Sequence, residues 1–522
     1  MSVKRNIQLY EKGGRMHYDA VIIGSGLGGL SCGAYLARNG RKVLVLEKHS
    51  IPGGYATSYR RGDFTFDTTL HMLAGVGKGQ QMHALWEACG VAEKIELIKL
   101  KDCFRIIFPG LDLRLPSGDL DGVISILENA FPHERKGIRS LFSHMMRISK
   151  DQTRMTVSKA PFLMQFSFFP LLYPSLFPVV YKTSAQLLDK HIKDAKLKAV
   201  LYANCSYYGL PPSRLNTSYG VFPNMRYWAD GAYYPVGGNQ VIPNAFVDVI
   251  RQHGGDVLLD SRVTEILLKN GKAVGVRTDN GKTYGGDAVI SNASPQVTFG
   301  HLLHGERITQ KIAKQMDKME PSISTFSIRL GLDARFTANL ENRRDYEIII
   351  SDTYDHDQNS RWREQYDVEK GSLIVTLYSN IERSAAKNGK FAMGIVQAQG
   401  YEYWKRYESD YFAGRKQQYN IEKERMARVL IERAERVVTV ISKHIEVMDT
   451  STPLSQLRYT GNFNGASLGW ANTVKQSNPL QRSHQKTAVK NLYLSSAWSF
   501  PGEGQVSVIL SGYLLGRRLV GK

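Results

Sequence analysis

The chain has 522 residues and a mass of 58.7 kDa, a length that allows two or three packing units and a sizeable buried site. Hydrophobic residues make up 42% of it and charged residues 22%, a balance that excludes both a disordered chain and a polytopic membrane protein. The formal charge of +20 attracts phosphate-rich partners. No zinc-ligand spacing, basic repeat or RNA-binding aromatic signature accompanies this charge. We therefore expect an anionic membrane surface as the partner, and no nucleic acid.

The first residues, MSVKRNIQLYEKGGR, are polar and lack the apolar stretch of a secretory signal. Four cysteines, Cys32, Cys89, Cys103 and Cys205, are scattered without a CxxC pair, as is usual for reduced thiols. We therefore predict a cytoplasmic protein without a disulfide framework, and the sequence has no spacing typical of metal ligands.

The segment from Tyr18 to Glu47 has the pattern of a βαβ unit. The apolar run AVII precedes GSGLGGL, and a second run, KVLVLE, follows SCGAYLARNG, which predicts strand, glycine turn, helix and strand. Gly24, Gly26 and Gly29 satisfy GxGxxG: the first permits the tight turn, the second the approach of a pyrophosphate, and the third close packing of helix on strand. Glu47 follows about 20 residues later, where a carboxylate can accept the ribose hydroxyls of an adenosine. A dinucleotide site is therefore predicted.

A second glycine pair, Gly53 and Gly54, follows directly in HSIPGG. Glycines permit close backbone approach to a phosphate, and a second pair near the first loop favours FAD over NAD; the alternative is a simple surface turn. No second GxGxxG occurs in a βαβ context. We therefore expect electrons to come from or go to an external partner, namely a quinone, oxygen or a separate reductase.

Residues 86–230 have mixed helical patterns without another glycine signature, and they contain an uncharged, aromatic-rich segment at 161–181, PFLMQFSFFPLLYPSLFPVVY. Its length is close to the roughly 20 residues that span a bilayer. Pro170, Pro174 and Pro178 each remove a backbone donor and argue against a spanning helix. We expect a segment that dips into a membrane interface or roofs an apolar tunnel; the alternative is a lid packed wholly within the protein.

The rest of the chain alternates between two kinds of pattern. Residues 231–300 predict a helix and then short strands separated by NG, DNG and GG turns. Residues 301–450 return to strands and charged helices, including KERMARVLIERAERVVTVISKHI with apolar positions at helical spacing. The end, NLYLSSAWSFPGEGQVSVILSGYLLGRRLVG, predicts a strand, a glycine-rich turn and a helix.

The segments EKHSIPGGYATSYRRGDFTFDTTLHML, YYPVGGNQVI and SFPGEGQVSVILSG resemble the phytoene desaturase, carotenoid cis-trans isomerase and retinol saturase family, with the isomerase branch nearest in its motifs. The resemblance implies an α/β fold in which a Rossmann-like FAD-binding domain is assembled from residues 16–85, 231–300 and 451–522. It implies an α+β substrate domain, from residues 86–230 and 301–450, that admits long apolar polyenes. The implied activity is FAD-dependent oxidoreduction of a carotenoid-like or other isoprenoid lipid.

The resemblance also assigns residues to the cofactor. The three glycines of the first loop face the pyrophosphate, Glu47 faces the adenosine ribose, and Val263 matches the position whose backbone meets the adenine. The turn at Gly504, Gln505 and Val506 matches the one beside the isoalloxazine, where N–H groups that open a helix stabilise negative charge on the reduced ring.

Two positions depart from the family pattern. Ser496 and Ala497 stand where relatives often have Gly-Asp, with the acid on the ribitol, and Tyr55 stands where many have arginine. These differences bear on the strength of FAD binding and leave the nucleotide loop intact. His71 in TTLHML and Glu503 in PGEGQ are the polar residues that the motifs put near the flavin; the alternatives are a hydrogen-bonded structural histidine and a capping or solvated carboxylate.

The sequence leaves the reaction open. Desaturation passes a hydride to oxidised flavin with proton loss, saturation reverses that flow, and isomerisation uses reduced flavin without net redox change. A flavin amine oxidase, which shares the nucleotide loop, is one alternative. A non-enzymatic prenyl-lipid-binding protein of the Rab escort and GDP-dissociation-inhibitor type, which has a related fold, is another. A lipid-soluble substrate and peripheral membrane association explain both the uncharged, aromatic-rich residues 161–181 and the positive charge.

Overall fold

Two large β-sheets organise the residues that the computed structural model describes, which are 16–69, 71–158, 167–303, 312, 314–316, 318–338, 345–477 and 484–521. The strands are β1 Met16–Ile23, β2 Val43–Leu46, β3 Ser58–Arg61, β4 Phe64–Asp67, β5 Leu73–Ala74, β6 Leu97–Lys99, β7 Asp102–Phe108, β8 Leu111–Pro116, β9 Ala232–Pro235, β10 Asp256–Leu258, β11 Val263–Lys269, β12 Lys272–Thr278, β13 Thr283–Ser291, β14 Ser324–Leu332, β15 Glu347–Ile350, β16 Leu373–Thr376, β17 Phe391–Gln399, β18 Ile445–Ser451 and β19 Leu492–Leu494. The α-helices are α1 Leu27–Arg38, α2 Gln81–Cys89, α3 Leu120–Ala130, α4 Arg135–Val157, α5 Phe169–Leu172, α6 Ser184–His191, α7 Ala195–Leu201, α8 Thr217–Met225, α9 Val241–Gln252, α10 Ala334–Ala338, α11 His356–Glu364, α12 Glu402–Lys405, α13 Glu408–Phe412, α14 Gln417–Val438, α15 Pro453–Thr460 and α16 Gln505–Val520.

The first large sheet carries the predicted βαβ unit, β1–α1–β2. Its order is β10-β2-β1-β13-β12-β11, and β19 adds beside β13. The strands from β10 to β13 and β19 run parallel, whereas β11, β12 and β13 form an antiparallel meander. The four residues of β2 are all buried, as expected for a parallel strand covered on both faces. The strands come from separate stretches of chain, so the predicted Rossmann-like domain of discontinuous segments is confirmed.

The second large sheet has the order β18-β14-β17-β16-β15-β7-β8 and is antiparallel apart from the β15–β7 pair. The predicted long helix is α14, and Met426, Leu430 and Ala434, spaced at one helical turn, are buried in the core that covers this sheet. The hairpin β7–β8 was not predicted, since the sequence of this region has mixed helical patterns. Short strands give only a weak signal. The α+β character is confirmed, and the exact domain boundaries stay a prediction.

The apolar segment predicted at 161–181 is described from residue 167 onward, and 159–166 lie outside the described residues. Residues 167–181, called here the aromatic segment, contain only the short helix α5 and the 3₁₀ turn Phe177–Val179. The Asp151 carboxylate of α4 accepts from the N–H groups of Ser175 and Leu176 at 2.8 and 3.2 Å and anchors the segment. No helix in the described part of the chain is long and apolar enough to cross a membrane.

Helix α16 packs directly on α1, and glycine makes this contact possible. A Cβ on Gly512 would overlap the carbonyl oxygen of Gly28 and lie 2.7 Å from the amide nitrogen of Cys32. Both are backbone atoms of α1 and cannot move aside without shifting the nucleotide helix. The close approach therefore fixes the C-terminal helix against the first glycine loop.

We expect Gly512→Val to lower the free energy of unfolding by about 1–3 kcal/mol, the usual cost of overpacking a core. The measurement is the midpoint of thermal unfolding. Gly300→Ala is the matched control, because a Cβ at Gly300 meets nothing within 4 Å. Equal midpoints for Gly512→Val and Gly300→Ala would show that the two helices can separate freely.

Candidate functional site

A cavity of about 2410 Å³ has walls from both large sheets, including Val263 of the first sheet and Arg329 and Val396 of the second. All the site candidates named from the sequence line this cavity except Gly29. Residues that are distant in the chain are therefore brought together around one space. The aromatic segment lines the same cavity through Phe169, Leu176 and other residues.

The first glycine loop turns the chain from β1 into α1. Gly24 has φ +90°, a conformation that only glycine adopts readily, and Gly26 is the N-cap of α1. No side chain caps this helix and its first turn has no acid, so its N–H groups and positive dipole end are available to an anion. Gly29 instead serves helix packing, because a Cβ there would lie 2.6 Å from the Gly24 carbonyl oxygen.

The second glycine pair lies against the first loop. The Gly53 N–H donates to the Ser25 carbonyl at 3.0 Å, and Gly26 and Gly53 form a parallel bridge. Gly53 and Gly54 have φ of +128° and +61°, and a Cβ on Gly54 would lie 3.4 Å from the Gly26 Cα. The two loops thus form one wall of exposed backbone, as a pyrophosphate requires.

Glu47 holds the first loop in place. It is 5% exposed, and its Oε2 accepts from the Ser25 N–H at 2.8 Å and the Ser25 hydroxyl at 2.7 Å. Its Oε1 accepts from the His49 N–H at 3.0 Å. Hydrogen bonds to an ionised carboxylate are strong, so this side chain couples the end of β2 to the glycine loop.

The C-terminal turn forms another part of the wall. Gly504 has φ +89° and is the N-cap of α16, which has neither a side-chain cap nor an acid in its first turn. Gln505 donates from Nε2 to the Asn239 Oδ1 at 3.1 Å. Ser496 and Ala497 also line the cavity, and neither supplies a carboxylate. A second helix N-terminus therefore opens onto the same space as the first.

Tyr55, the other departure from the family pattern, is tied to the protein interior. Its hydroxyl lies within hydrogen-bond distance of two acceptors, the Gln456 Oε1 at 3.2 Å and the Ala466 carbonyl oxygen at 3.3 Å. Burial raises the pKa of this phenol to about 12, so it stays neutral. The residue fixes the second glycine loop against α15 and supplies no positive charge to the cavity.

These walls fit FAD. The uncapped N-terminus of α1 and the exposed backbone of the two glycine loops suit the phosphates. The buried carboxylate beside the first loop suits the adenosine ribose, and the uncapped N-terminus of α16 suits the flavin. Asn292, which the sequence analysis did not single out, lines the same cavity. Its side chain lies so close to Gly26 that a Cβ on this glycine would overlap it. The SNAS motif at the end of β13 was the available signal.

His71 lies in the same cavity wall and is held by a carboxylate. Its Nδ1 lies 3.0 Å from both the Glu347 Oε2 and the Thr376 Oγ1. Glu347 and Thr376 are paired across the neighbouring strands β15 and β16, and the Glu347 side chain has 0% exposure. A carboxylate can only accept, so it favours the proton on Nδ1 and leaves Nε2 as the unprotonated nitrogen of the neutral ring.

The chain before His71 is fixed by a buried arginine. The Arg329 Nε and Nη2 donate to the carbonyls of Asp67 and Thr68, each at 2.7 Å. The Asp67 carboxyl accepts from the Tyr234 hydroxyl at 2.6 Å and the Asn239 N–H at 3.0 Å, and burial raises its pKa. The backbone on which His71 stands is therefore held from the second sheet.

Glu503 is 9% exposed and accepts from the Asn472 side-chain amide. It lines the cavity beside Gly504, so it lies in the region that the family motif implies. Its amide partner is the kind that orients a carboxylate. Glu503 and His71 remain the candidates for chemistry, with Glu347 added as the residue that orients His71.

The sequence model of the family described as flavin containing amine oxidoreductase matches residues 27–379. The chain is 28% identical to a chloroplastic prolycopene isomerase of Arabidopsis thaliana, over 97% of this chain and 83% of the relative. It is 26% identical to an all-trans-retinol 13,14-reductase of Danio rerio, over 91% and 82%. It is 24% identical to a zeta-carotene-forming phytoene desaturase of Myxococcus xanthus, over 96% and 93%.

Solved structures share the fold. An oxidoreductase from Methanosarcina mazei superimposes with a TM-score of 0.62 at 18% identity, covering 96% of this chain and 99% of that one. A Rab GDI from Plasmodium falciparum superimposes with a TM-score of 0.51 at 12% identity, covering 92% and 93%. At such identities the likeness shows the fold alone, and the activity has to be argued from the residues of the site.

Proposed function

The chain belongs to the flavin containing amine oxidoreductase family and is an FAD-dependent oxidoreductase, and from this premise we propose that it desaturates, saturates or isomerises a polyene. The proposed substrate is the conjugated chain of a carotenoid-like or other isoprenoid lipid. The relatives named as a prolycopene isomerase, a retinol reductase and a phytoene desaturase support this class of substrate.

The observation that carries the proposal is the continuity of the cavity. One space of about 2410 Å³ reaches from the glycine loops past His71 to the aromatic segment. Its wall beyond the proposed flavin region includes the aromatic rings of Tyr207, Phe222 and Tyr227. Aromatic walls suit an extended apolar chain.

We assign the two glycine loops and Glu47 to the dinucleotide, Val263 to its adenine, and Gly504, Gln505 and Val506 to the isoalloxazine. FAD supplies hydride or electron transfer when bound. His71 can hold or release a proton at Nε2, because Glu347 occupies its Nδ1.

Peripheral membrane contact is part of the proposal. Phe168 and Leu171 of the aromatic segment are 52% and 79% exposed, and the net charge of +20 favours anionic surfaces. Such contact delivers a lipid that is insoluble in water. We also infer an external electron partner, a quinone, oxygen or a reductase; the cytoplasmic location stays a prediction.

The test is product analysis with purified protein. The FAD-loaded enzyme, oxidised or reduced, is incubated anaerobically in detergent with cis and all-trans polyenes. The extracted lipids are separated by chromatography, and their masses are determined by mass spectrometry. We expect a two-hydrogen mass change for desaturation or saturation, or altered isomer composition at constant mass for isomerisation. Oxidation of added amines with no change in any polyene would contradict the proposal and favour an amine oxidase. Polyene binding without flavin or turnover would favour a lipid-binding protein.

A further inference from the structure

A second cavity, about 200 Å³ in volume, lies beside the aromatic segment. We call it the basic pocket. Its wall contains Arg147 of α4, Lys182 just before α6, Lys190 of α6, and Pro178 and Val179 of the aromatic segment. None of the described residues that line it is an aspartate or a glutamate.

The positive charges of the basic pocket are not neutralised by described residues. Arg147 donates to the Ser143 hydroxyl at 2.8 Å, and among the described residues no carboxylate forms an ion pair with Arg147, Lys182 or Lys190. The acids nearby in sequence have other partners: Asp189 pairs with Lys198 at 2.6 Å. Three cations around a small cavity form a site for an anion.

His144 shows the effect of this charge. Its Nδ1 lies 3.0 Å from the Nε2 of His191, and its ring lines the pocket. Burial, together with His191, Lys190, Arg147 and Lys182, lowers the pKa of His144 to about 4. A neutral imidazole at neutral pH can still donate or accept one hydrogen bond to a ligand.

The aromatic segment separates the basic pocket from the large cavity. Its residues Leu176, Phe177 and Val180 line the large cavity, whereas Pro178 and Val179 line the basic pocket. Phe168 and Leu171 of the same segment are exposed to solvent. A segment that carries exposed apolar side chains and also borders a cluster of cations has the arrangement of an interfacial protein segment, in which apolar groups enter the acyl region and cations meet the headgroups.

We propose that the basic pocket binds the phosphate group of an anionic phospholipid in the membrane surface. Arg147, Lys182 and Lys190 contact the headgroup, and the aromatic segment then lies at the boundary between headgroups and acyl chains. A lipid substrate would then enter the large cavity from the apolar layer, past the aromatic segment that lines it. The inference rests on the membrane contact included in the proposed function, but it does not depend on which reaction the enzyme performs.

The test is sedimentation of FAD-loaded protein with vesicles of phosphatidylcholine alone and with added phosphatidylglycerol. The triple variant Arg147→Gln, Lys182→Gln and Lys190→Gln is compared with a matched triple, Lys269→Gln, Lys272→Gln and Lys282→Gln, which removes the same charge from exposed β-hairpins of the first sheet. We expect the pocket variant to lose on the order of 100-fold in partition onto the anionic vesicles, and the matched triple to lose less than about threefold. Flavin absorbance and turnover in detergent should be unchanged in both, which verifies folding.

Three results would overturn the inference. Equal losses in the two triples would mean that overall charge and not the pocket acts. If inorganic phosphate raised the thermal unfolding midpoint of the wild-type protein but not of the pocket variant, while both proteins bound anionic vesicles equally, the pocket would be assigned to a free anion. Failure of wild-type protein to bind any vesicle would remove both the headgroup site and the membrane contact, whereas turnover of a polyene in detergent would still stand.

Discussion

The Glu47→Gln variant is expected to bind FAD roughly 30- to 1,000-fold more weakly than the wild-type enzyme. The carboxylate accepts three hydrogen bonds from Ser25 and His49 and is almost fully buried. The side-chain amide of glutamine has only one acceptor oxygen, and its NH₂ group faces an N–H donor. Each charge-assisted hydrogen bond that is lost costs about 1.5–3 kcal/mol. The loop that carries Gly24 and Gly26 loses its anchor, and the proposed ribose contact is lost with it.

The measurement for Glu47→Gln is titration of the apoprotein with FAD, followed by quenching of flavin fluorescence. Glu265→Gln is the matched control, because Glu265 lies in the same sheet and forms an exposed ion pair with Arg277 at 2.9 Å, which contributes little. A Kd for Glu47→Gln within threefold of the control would mean that this carboxylate has no part in the cofactor site.

The His71→Ala variant is expected to lower kcat by about 10²- to 10⁴-fold, the usual contribution of a positioned proton donor or acceptor. FAD should still bind, because the His71 side chain contacts Glu347, Thr376 and the Tyr207 ring, and none of the glycine loops. The measurement is the steady-state rate of product formation at saturating substrate, together with flavin content. His253→Ala, at the exposed C-terminal end of α9, is the matched control.

Glu347→Gln separates orientation from chemistry. The amide keeps the shape of the side chain but no longer fixes the His71 proton on Nδ1, so we expect kcat to fall about tenfold or more while KM and FAD affinity stay within twofold. A rise in KM with constant kcat would mean that Glu347 shapes the binding of substrate and does not position His71. Unchanged turnover in His71→Ala would restore the structural interpretation of this histidine.

The nucleotide part of the fold was predictable because its signals are local. An apolar strand, a glycine turn and a helix follow one another within about 30 residues, and each of them restricts the backbone strongly. The same holds for α14, whose apolar positions repeat at helical spacing over 22 residues. Gly29 was harder to interpret, since one motif combines glycines that approach a ligand with a glycine that only allows packing.

The partner of His71 was not predictable. Glu347 stands 276 positions from His71 in the chain, in a strand whose sequence, EIII, has no motif. Only the pairing of β15 with β16 and the docking of the second sheet bring it beside His71. The basic pocket has the same character, because Arg147, Lys182 and Lys190 are ordinary surface cations in sequence, and their convergence depends on the packing of α4 and α6.

The most direct test of the central claim, that one cavity holds FAD next to a polyene, is reconstitution of activity. Apoprotein is prepared, FAD is added in steps, and conversion of a polyene in detergent is followed by chromatography and mass spectrometry at each step. We predict that conversion is absent without FAD and rises in proportion to the bound flavin, with a much weaker response in Glu47→Gln. Conversion that is independent of FAD, or a fully flavin-loaded protein that converts no polyene, would contradict the claim.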